Sequence, residues 1–311
     1  MGRDRTLPTL ATERDIDGMV AGVDEAGCAP LAGPVVAAAV VLPGEWRRRP
    51  AKLKGLTDSK QLSAAERARF HDLIRAAARV GVGAASAAEI DRINIRRAAL
   101  TAMQRAVADL GCADDLAIAL VDGNQPPALP CPVQTVVKGD SSVLSIAAAS
   151  VIAKVTRDRL MARLARRYPG YGWLTNQGYG TEEHYLGLLR LGPTRHHRRT
   201  FAPLSTLFGG GAMEPALPGL DEAVGAGNLS LRLVVLRNDL HAVFDGEDRH
   251  VGVLKCFRRQ WTFRACGAAE DGAMVVGAGR FAAWHNLPVA EPRAEALLRV
   301  LARPVEAAAA G

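Results

Sequence analysis

Met19-Val20-Ala21-Gly22-Val23-Asp24-Glu25-Ala26-Gly27 is the stretch on which the fold turns. The apolar residues from Met19 to Val23 predict a strand over 19–24, and it ends on two adjacent carboxylates. Neighbouring strand residues point to opposite faces, so Asp24 and Glu25 can serve one site only if the strand stops or bulges there. Gly27 makes such a break feasible, and the Glu25 carbonyl is a further oxygen at that place. Across a Gly/Pro-rich turn, residues 35–42 are all apolar and predict a second, buried strand.

Further out, Ser63 with Glu66 three residues on forms a capping box and predicts a helix over 63–78. Residues 80–85 predict a third strand and 86–110 an Ala-rich helix. Residues 116–121 and 133–137 predict two more strands, and 141–168 a long helix that Tyr168-Pro169-Gly170 ends. Elements in this order predict a layered α/β domain with a mixed central sheet flanked by helices. Phe208-Gly209-Gly210-Gly211 opens a stretch rich in Gly, Pro and Ala that reads as a linker. Beyond it, short strands over 229–236, 241–244, 251–257, 261–265 and 274–276 and a helix over 291–302 predict a small α+β domain. The expected organisation is an N-terminal tail 1–17, a catalytic domain 18–207, a linker 208–228, an accessory domain 229–303 and a tail 304–311.

Composition narrows the function classes. Of 311 residues, 49% are apolar and 23% charged, which excludes wholesale disorder. Cys28, Cys112, Cys131, Cys256 and Cys266 are scattered with no C-x-x-C pair, so a zinc or redox pair is excluded and a reduced, cytoplasmic setting expected. No apolar run approaches the ~20 residues of a membrane span, and residues 1–17 lack the apolar core of an export signal. The net charge is +7, and the excess sits between Lys154 and Thr200, with ten basic against three acidic side chains. Binding a phosphate backbone needs such a segment, although Arg163, Arg166 and Arg167 also read as a solvated helix face.

Asp122 stands before Gly123 at the end of an apolar run, and Asp140 follows Gly139 at the start of the long helix. Singly, these acids read as a turn residue, a helix cap and, for Asp24-Glu25, a solvated loop. Together, four acids at three strand ends meet at one edge of a sheet, where they repel one another without counter-charge. Hard oxygen donors of this kind suit Mg²⁺ or Mn²⁺. Two such ions about 3.5–4 Å apart activate water and stabilise the leaving oxygen in phosphodiester hydrolysis.

The residues also resemble a known family, bacterial ribonuclease HII. Gly22-Val23-Asp24-Glu25-Ala26-Gly27 with Pro30-Leu31-Ala32-Gly33-Pro34-Val35 is similar to its opening motif, and Leu56-Thr57-Asp58-Ser59-Lys60-Gln61-Leu62 to its D-S-K loop. Glu89-Ile90-Asp91, Val121-Asp122-Gly123-Asn124, Lys138-Gly139-Asp140-Ser141 and Ala153-Lys154-Val155-Thr156-Arg157-Asp158 follow in the family's order. Gly178-Tyr179-Gly180-Thr181 and His197-Arg198-Arg199 complete the match, over roughly 18–204.

The resemblance implies a ribonuclease H-like fold and a monomer that cuts the RNA strand of RNA–DNA hybrids, including ribonucleotides embedded in duplex DNA, leaving 3′-hydroxyl and 5′-phosphate ends. It implies that Asp24, Glu25, Asp122 and Asp140 are catalytic and hold the divalent metal, Mn²⁺ or Mg²⁺. It also places Gly27, Cys28, Ala29, Lys60 and Tyr179 against nucleic acid, with Tyr179 packing on the sugar at the RNA–DNA junction. Gly27-Cys28-Ala29 departs from the family's usual Gly-Arg-Gly, whose backbone contacts the junction 2′-hydroxyl. The arginine charge is lost and Ala29 restricts the backbone. A second reading follows: a duplex-binding protein with weakened junction-specific cleavage. Cys28 reads as a small loop residue rather than a soft metal ligand. In the accessory domain, Trp261, Phe263, Trp284, Arg258, Arg259 and Arg264 suggest stacking and phosphate contacts, but alternating Trp261, Phe263 and Ala265 fit the inner face of a strand better.

Overall fold

The computed structural model describes residues 7–48, 50–205, 223–226, 229–247, 249–268, 274–276 and 279–301. Its contacts divide the chain into two units. The first comprises residues up to Tyr179 together with Thr194–Arg198, and the second Gly180–Pro193 together with Arg199 onward.

The first unit is built on five strands, β1 (Met19–Ala26), β2 (Val35–Val41), β3 (Arg79–Ala85), β4 (Leu116–Asp122) and β5 (Val133–Val136), in the order β3-β2-β1-β4-β5. β3, β2 and β1 are antiparallel neighbours, whereas β4 runs parallel to β1, and β5 to β4. The sheet is therefore mixed, as expected. Every residue of β2 is buried, which explains its unbroken Val/Ala run. Ahead of, between and after these strands lie the helices α1 (Ala11–Arg14), α2 (Gly44–Arg48), α3 (Ala64–Ala77), α4 (Ala87–Ile93), α5 (Ile95–Asp109), α6 (Leu144–Arg167) and α7 (Trp173–Asn176).

Glycines set how closely the helices approach. A Cβ on Gly22 would lie 2.1 Å from the Ser145 carbonyl carbon, so α6 rests directly on β1. The neighbouring row faces the other way, and there α5 covers β2 and β3. Ala38, Val40, Phe70, Ile74, Ala148 and Ile152 form the core between the sheet, α3 and α6. Asp24 pairs with Ala38, so it shares the α6 face with Gly22.

Several expectations need correction. Residues 86–110 are two helices, because Asn94, at φ 65°, breaks the chain and caps α5 through its Oδ1 on the Arg97 amide at 3.1 Å. Asp140 does not open the long helix. It sits in a single 3-10 turn, Gly139–Ser141, and α6 begins at Leu144 after Val143, which makes no side-chain cap. The capping box at Ser63 and Glu66 forms as the spacing predicts.

The second unit holds α8 (Glu182–Leu191) and a seven-stranded sheet. Its strands are β6 (Ala223–Ala226), β7 (Leu229–Arg237), β8 (Leu240–Asp245), β9 (His250–Phe257), β10 (Gln260–Ala268), β11 (Met274–Val276) and β12 (Leu287–Val289). They follow the order β11-β10-β9-β8-β7-β6, with β12 also on β10, and α9 (Ala294–Leu301) packs against this sheet. The stretch 208–228 lies outside the described residues apart from β6. Phe263 and Ala265 are fully buried, and Trp261 lies half-buried against His241, with ring centroids 4.9 Å apart. These three therefore form the inner face of β10. Arg264 pairs with Glu182 at 2.9 Å.

Candidate active site

The parallel pairing of β1 with β4 ends at Val23 and Val121, while the antiparallel pairing with β2 runs on to Ala26. The last three residues of β1 thus project beyond the β4 side of the sheet. No bulge separates Asp24 from Glu25, contrary to the condition set by strand geometry. Both nonetheless line one cavity, because this overhang forms its rim.

That cavity has a volume of about 200 Å³. Every site residue that the family resemblance implies lines it: Asp24, Glu25, Asp122 and Asp140 on the acidic side, with Gly27, Cys28, Ala29, Lys60 and Tyr179 around them. It lies wholly within the first unit. A larger cavity of about 420 Å³ lies in the second unit, between the Arg259–Trp261 turn and α9, and its lining carries one acid, Glu291.

The electrostatics of the small cavity are strained. Burial, then the charges of Glu25 and Asp122, push the Asp24 carboxyl well above the usual carboxylate range. Burial and Asp122 raise Glu25, and burial, Asp58 and Asp122 raise Asp140. One hydrogen bond opposes this in part: Asp24 Oδ1 accepts from the Glu25 amide at 2.7 Å. Asp122 Oδ1 accepts from the Gly139 amide at 2.7 Å. Lys60 supplies counter-charge: burial works against its ammonium, but Asp58, Asp140 and Asp24 together hold its pKa up. Burial and Glu25 push the Cys28 thiol up to about 12, and its Sγ donates to Glu25 Oε1 at 3.6 Å.

The donor set fits a hard divalent cation. It is all carboxylate oxygen, and acids that raise one another's pKa are relieved by positive charge. In this arrangement, among the described residues, no three His, Cys, Asp or Glu side chains converge on one ligating point.

Sequence reasoning missed the cavity's other walls. Ser59, Ser150, Lys154 and Arg157 also line it. Ser150 donates to Ser59 Oγ at 2.8 Å, and Lys154 pairs with Asp158 at 2.7 Å. The spacing of Ser150, Lys154 and Arg157, i, i+4, i+7, was the available signal, since it puts all three on one helix face. Behind the loop 27–29 stand two buried arginines. Arg198 Nη2 donates to the Gly27 carbonyl at 2.5 Å, Nη1 to the Cys28 carbonyl at 2.8 Å and Nε to the Gly33 carbonyl at 3.1 Å. Arg157 donates to the carbonyls of Pro34, Gln177 and Ala32 at 3.0, 3.0 and 3.1 Å. Burial and the neighbouring Arg157 bring Arg198 down to about 10, still protonated at neutral pH. Two members of the basic segment are therefore held by backbone carbonyls, and of the two only Arg157 reaches the cavity wall.

The mixed five-stranded sheet, in the order β3-β2-β1-β4-β5 with helices packed on it, is a ribonuclease H-like α/β fold. The ribonuclease HII family profile matches residues 21–204. Ribonuclease HII of Paramagnetospirillum magneticum is 56% identical over 199 residues, covering 64% of this chain and 98% of that protein. Ribonuclease HII of Rhodospirillum rubrum is 56% identical over 215 residues, covering 68% of this chain and 95% of that protein. Among solved structures, the ribonuclease H2 from Pyrococcus horikoshii OT3 is 26% identical, with a TM-score of 0.49 over 60% of this chain and 95% of that one. The chain belongs to the ribonuclease HII family and is a type HII ribonuclease H, an endonuclease that hydrolyses phosphodiester bonds.

Proposed function

We propose that the chain hydrolyses the RNA strand of RNA–DNA hybrids and cuts at ribonucleotides embedded in duplex DNA, leaving 3′-hydroxyl and 5′-phosphate ends. The observation that carries this is the convergence of Asp24, Glu25, Asp122 and Asp140 on one cavity with Lys60 and Tyr179 at its edge. Those four acids would hold Mg²⁺ or Mn²⁺, and when bound the metal supplies the activated water and stabilises the leaving oxygen.

The chain's own residues do the rest in this reading. Tyr179, 43% exposed, offers a ring to a sugar or base. Lys60, exposed and still charged, meets a phosphate. The loop 27–29 presents backbone to the substrate. In this reading 18–207 is the catalytic domain and 229–303 an accessory domain, in a monomer working in the cytoplasm. Among the described residues no helix is long and apolar enough to cross a membrane.

The alternative, binding without junction-specific cleavage, rests on Cys28 and Ala29 replacing Arg and Gly. The three loop and turn carbonyls held by Arg198 favour retained loop geometry instead. The deciding experiment compares cleavage of a duplex with one ribonucleotide against a long RNA–DNA hybrid, in Mg²⁺ and in Mn²⁺. A cut 5′ to the lone ribonucleotide supports the first reading. Binding with a cut only in the long hybrid supports the alternative.

A further inference from the structure

We propose that Arg198 is a positioning residue for this cavity: it acts through two peptide planes to aim the N–H groups of Cys28 and Ala29 at the substrate. The inference rests on the nuclease reading above.

A trans peptide is planar, and its C=O and N–H point in opposite directions. Arg198 draws the Gly27 carbonyl to Nη2 at 2.5 Å and the Cys28 carbonyl to Nη1 at 2.8 Å. The partner N–H groups of those peptide planes belong to Cys28 and Ala29, and they face away from Arg198. Both residues line the catalytic cavity, whereas Arg198 does not line it and has no solvent exposure. The donors therefore face the side where the four acids lie.

Arg198 is itself over-determined. Its amide donates to the Leu31 carbonyl at 2.8 Å, the Gly33 amide donates to the His196 carbonyl at 2.8 Å, and Ala32 bridges His197 in antiparallel register. Arg157 extends the clamp. It ties Ala32 and Pro34 to Gln177, two residues before Tyr179, and the Leu31 amide donates to the Gly178 carbonyl at 2.8 Å. Gly27 has φ 100°, and a Cβ there would lie 2.0 Å from Arg157 Nε, so only glycine fits between the loop and the arginines. A guanidinium can serve several carbonyls in one plane, and a lysine ammonium cannot span them. Loop rigidity here thus comes from behind, where the two guanidinium groups hold the backbone on either side of Ala29, the position at which the family has the more permissive glycine.

The test uses the full chain with Arg198→Lys and a duplex carrying one ribonucleotide. The expected result is a KM raised about tenfold with kcat within about threefold, because the donors bind substrate and transition state alike. A fall in kcat at unchanged KM, as a smaller folded fraction gives, or no change in either constant, overturns the proposal. If Arg198→Lys does not fold, the Asp24→Asn protein is used with the same duplex. The amides of Cys28 and Ala29 must then gain hydrogen-exchange protection on adding it, and absence of protection overturns the proposal. Failure of the unaltered chain to cut any RNA–DNA substrate would instead sink the nuclease reading.

Discussion

Asp122 Oδ1 accepts the Gly139 amide at 2.7 Å, so the acid that ends β4 anchors the turn carrying Asp140. Gly139 is buried, and a Cβ there would lie 2.6 Å from Ile146 Cδ1 and 3.4 Å from Asp122 Oδ1. Two acids 18 residues apart in the chain are thereby tied together by one bond from a backbone amide to a side-chain carboxylate. An amide at position 122 can still accept that bond through its oxygen, which makes Asp122→Asn a clean test of charge rather than of shape.

The raised Asp24 carboxyl makes the site a source of instability. Its folded pKa lies above the unfolded one, so the folded state binds the extra proton. Stability is therefore lost as pH rises from the unfolded value of 3.8 through the folded pKa. At pH 7 without metal, Asp24→Asn should raise Tm, by roughly 2–4 °C for each kcal/mol of relieved repulsion. Added Mn²⁺ should raise the Tm of the unaltered chain more than that of the variant. Calorimetry with and without metal checks both, and a lower Tm in Asp24→Asn would refute the electrostatic account.

Gly22→Ala should destabilise by about 3 kcal/mol or more, because the new methyl meets the backbone of Ser145 and Ile146 at 2.1–2.4 Å and neither can retreat. Gly44→Ala, with nothing within 4 Å of the added carbon, should be nearly neutral. Urea unfolding of the two variants distinguishes a tight β1–α6 contact from a generally intolerant fold.

Within the second unit, Glu182 joins α8 to the sheet by pairing with Lys255 and, at 2.9 Å, with Arg264. All three side chains are about one-quarter to one-third exposed. Glu182→Gln should cost about 1–3 kcal/mol, since it strips a charged partner from two half-buried cations. Glu295→Gln removes an exposed pair 4.0 Å apart and should cost under about 0.5 kcal/mol. Equal midpoints in urea for the two variants would contradict this ranking.

Burial pushes the His250 imidazole in β9 down to about 4. The unfolded histidine holds its proton more tightly, so stability present above pH 6.5 is lost as pH falls toward 4. The loss should reach roughly 1–3 kcal/mol. Melting curves at pH 7 and pH 4.5 should show a larger drop for the unaltered chain than for His250→Gln, and parallel drops would exclude the histidine.

Much of this was legible in the chain. Buried strands announce themselves when both faces are covered, as in the Val/Ala run of β2. The Ser63 capping box is local chemistry, and acids at the ends of apolar runs mark a sheet rim. Other features depend on partners distant in sequence. Arg157 and Arg198 read as part of a basic phosphate-binding segment, and only tertiary packing shows that each is held by three carbonyls. Asn94 sits within an Ala-rich helical pattern whose periodicity hides a break at φ 65°. The overhang of β1 past β4 depends on register, so Asp24 and Glu25 could share a cavity without the bulge that strand geometry alone demanded.

The central claim is that carboxylate charge in the small cavity cuts RNA paired with DNA. Its most direct test is cleavage of a long RNA–DNA hybrid by the unaltered chain, Asp24→Asn and Asp122→Asn in Mg²⁺ and in Mn²⁺. The account predicts 5′-phosphate products from the unaltered chain and at least about a 100-fold loss in each variant, more than removal of an outer hydrogen-bond partner brings about. Either variant cutting at the unaltered rate would contradict it.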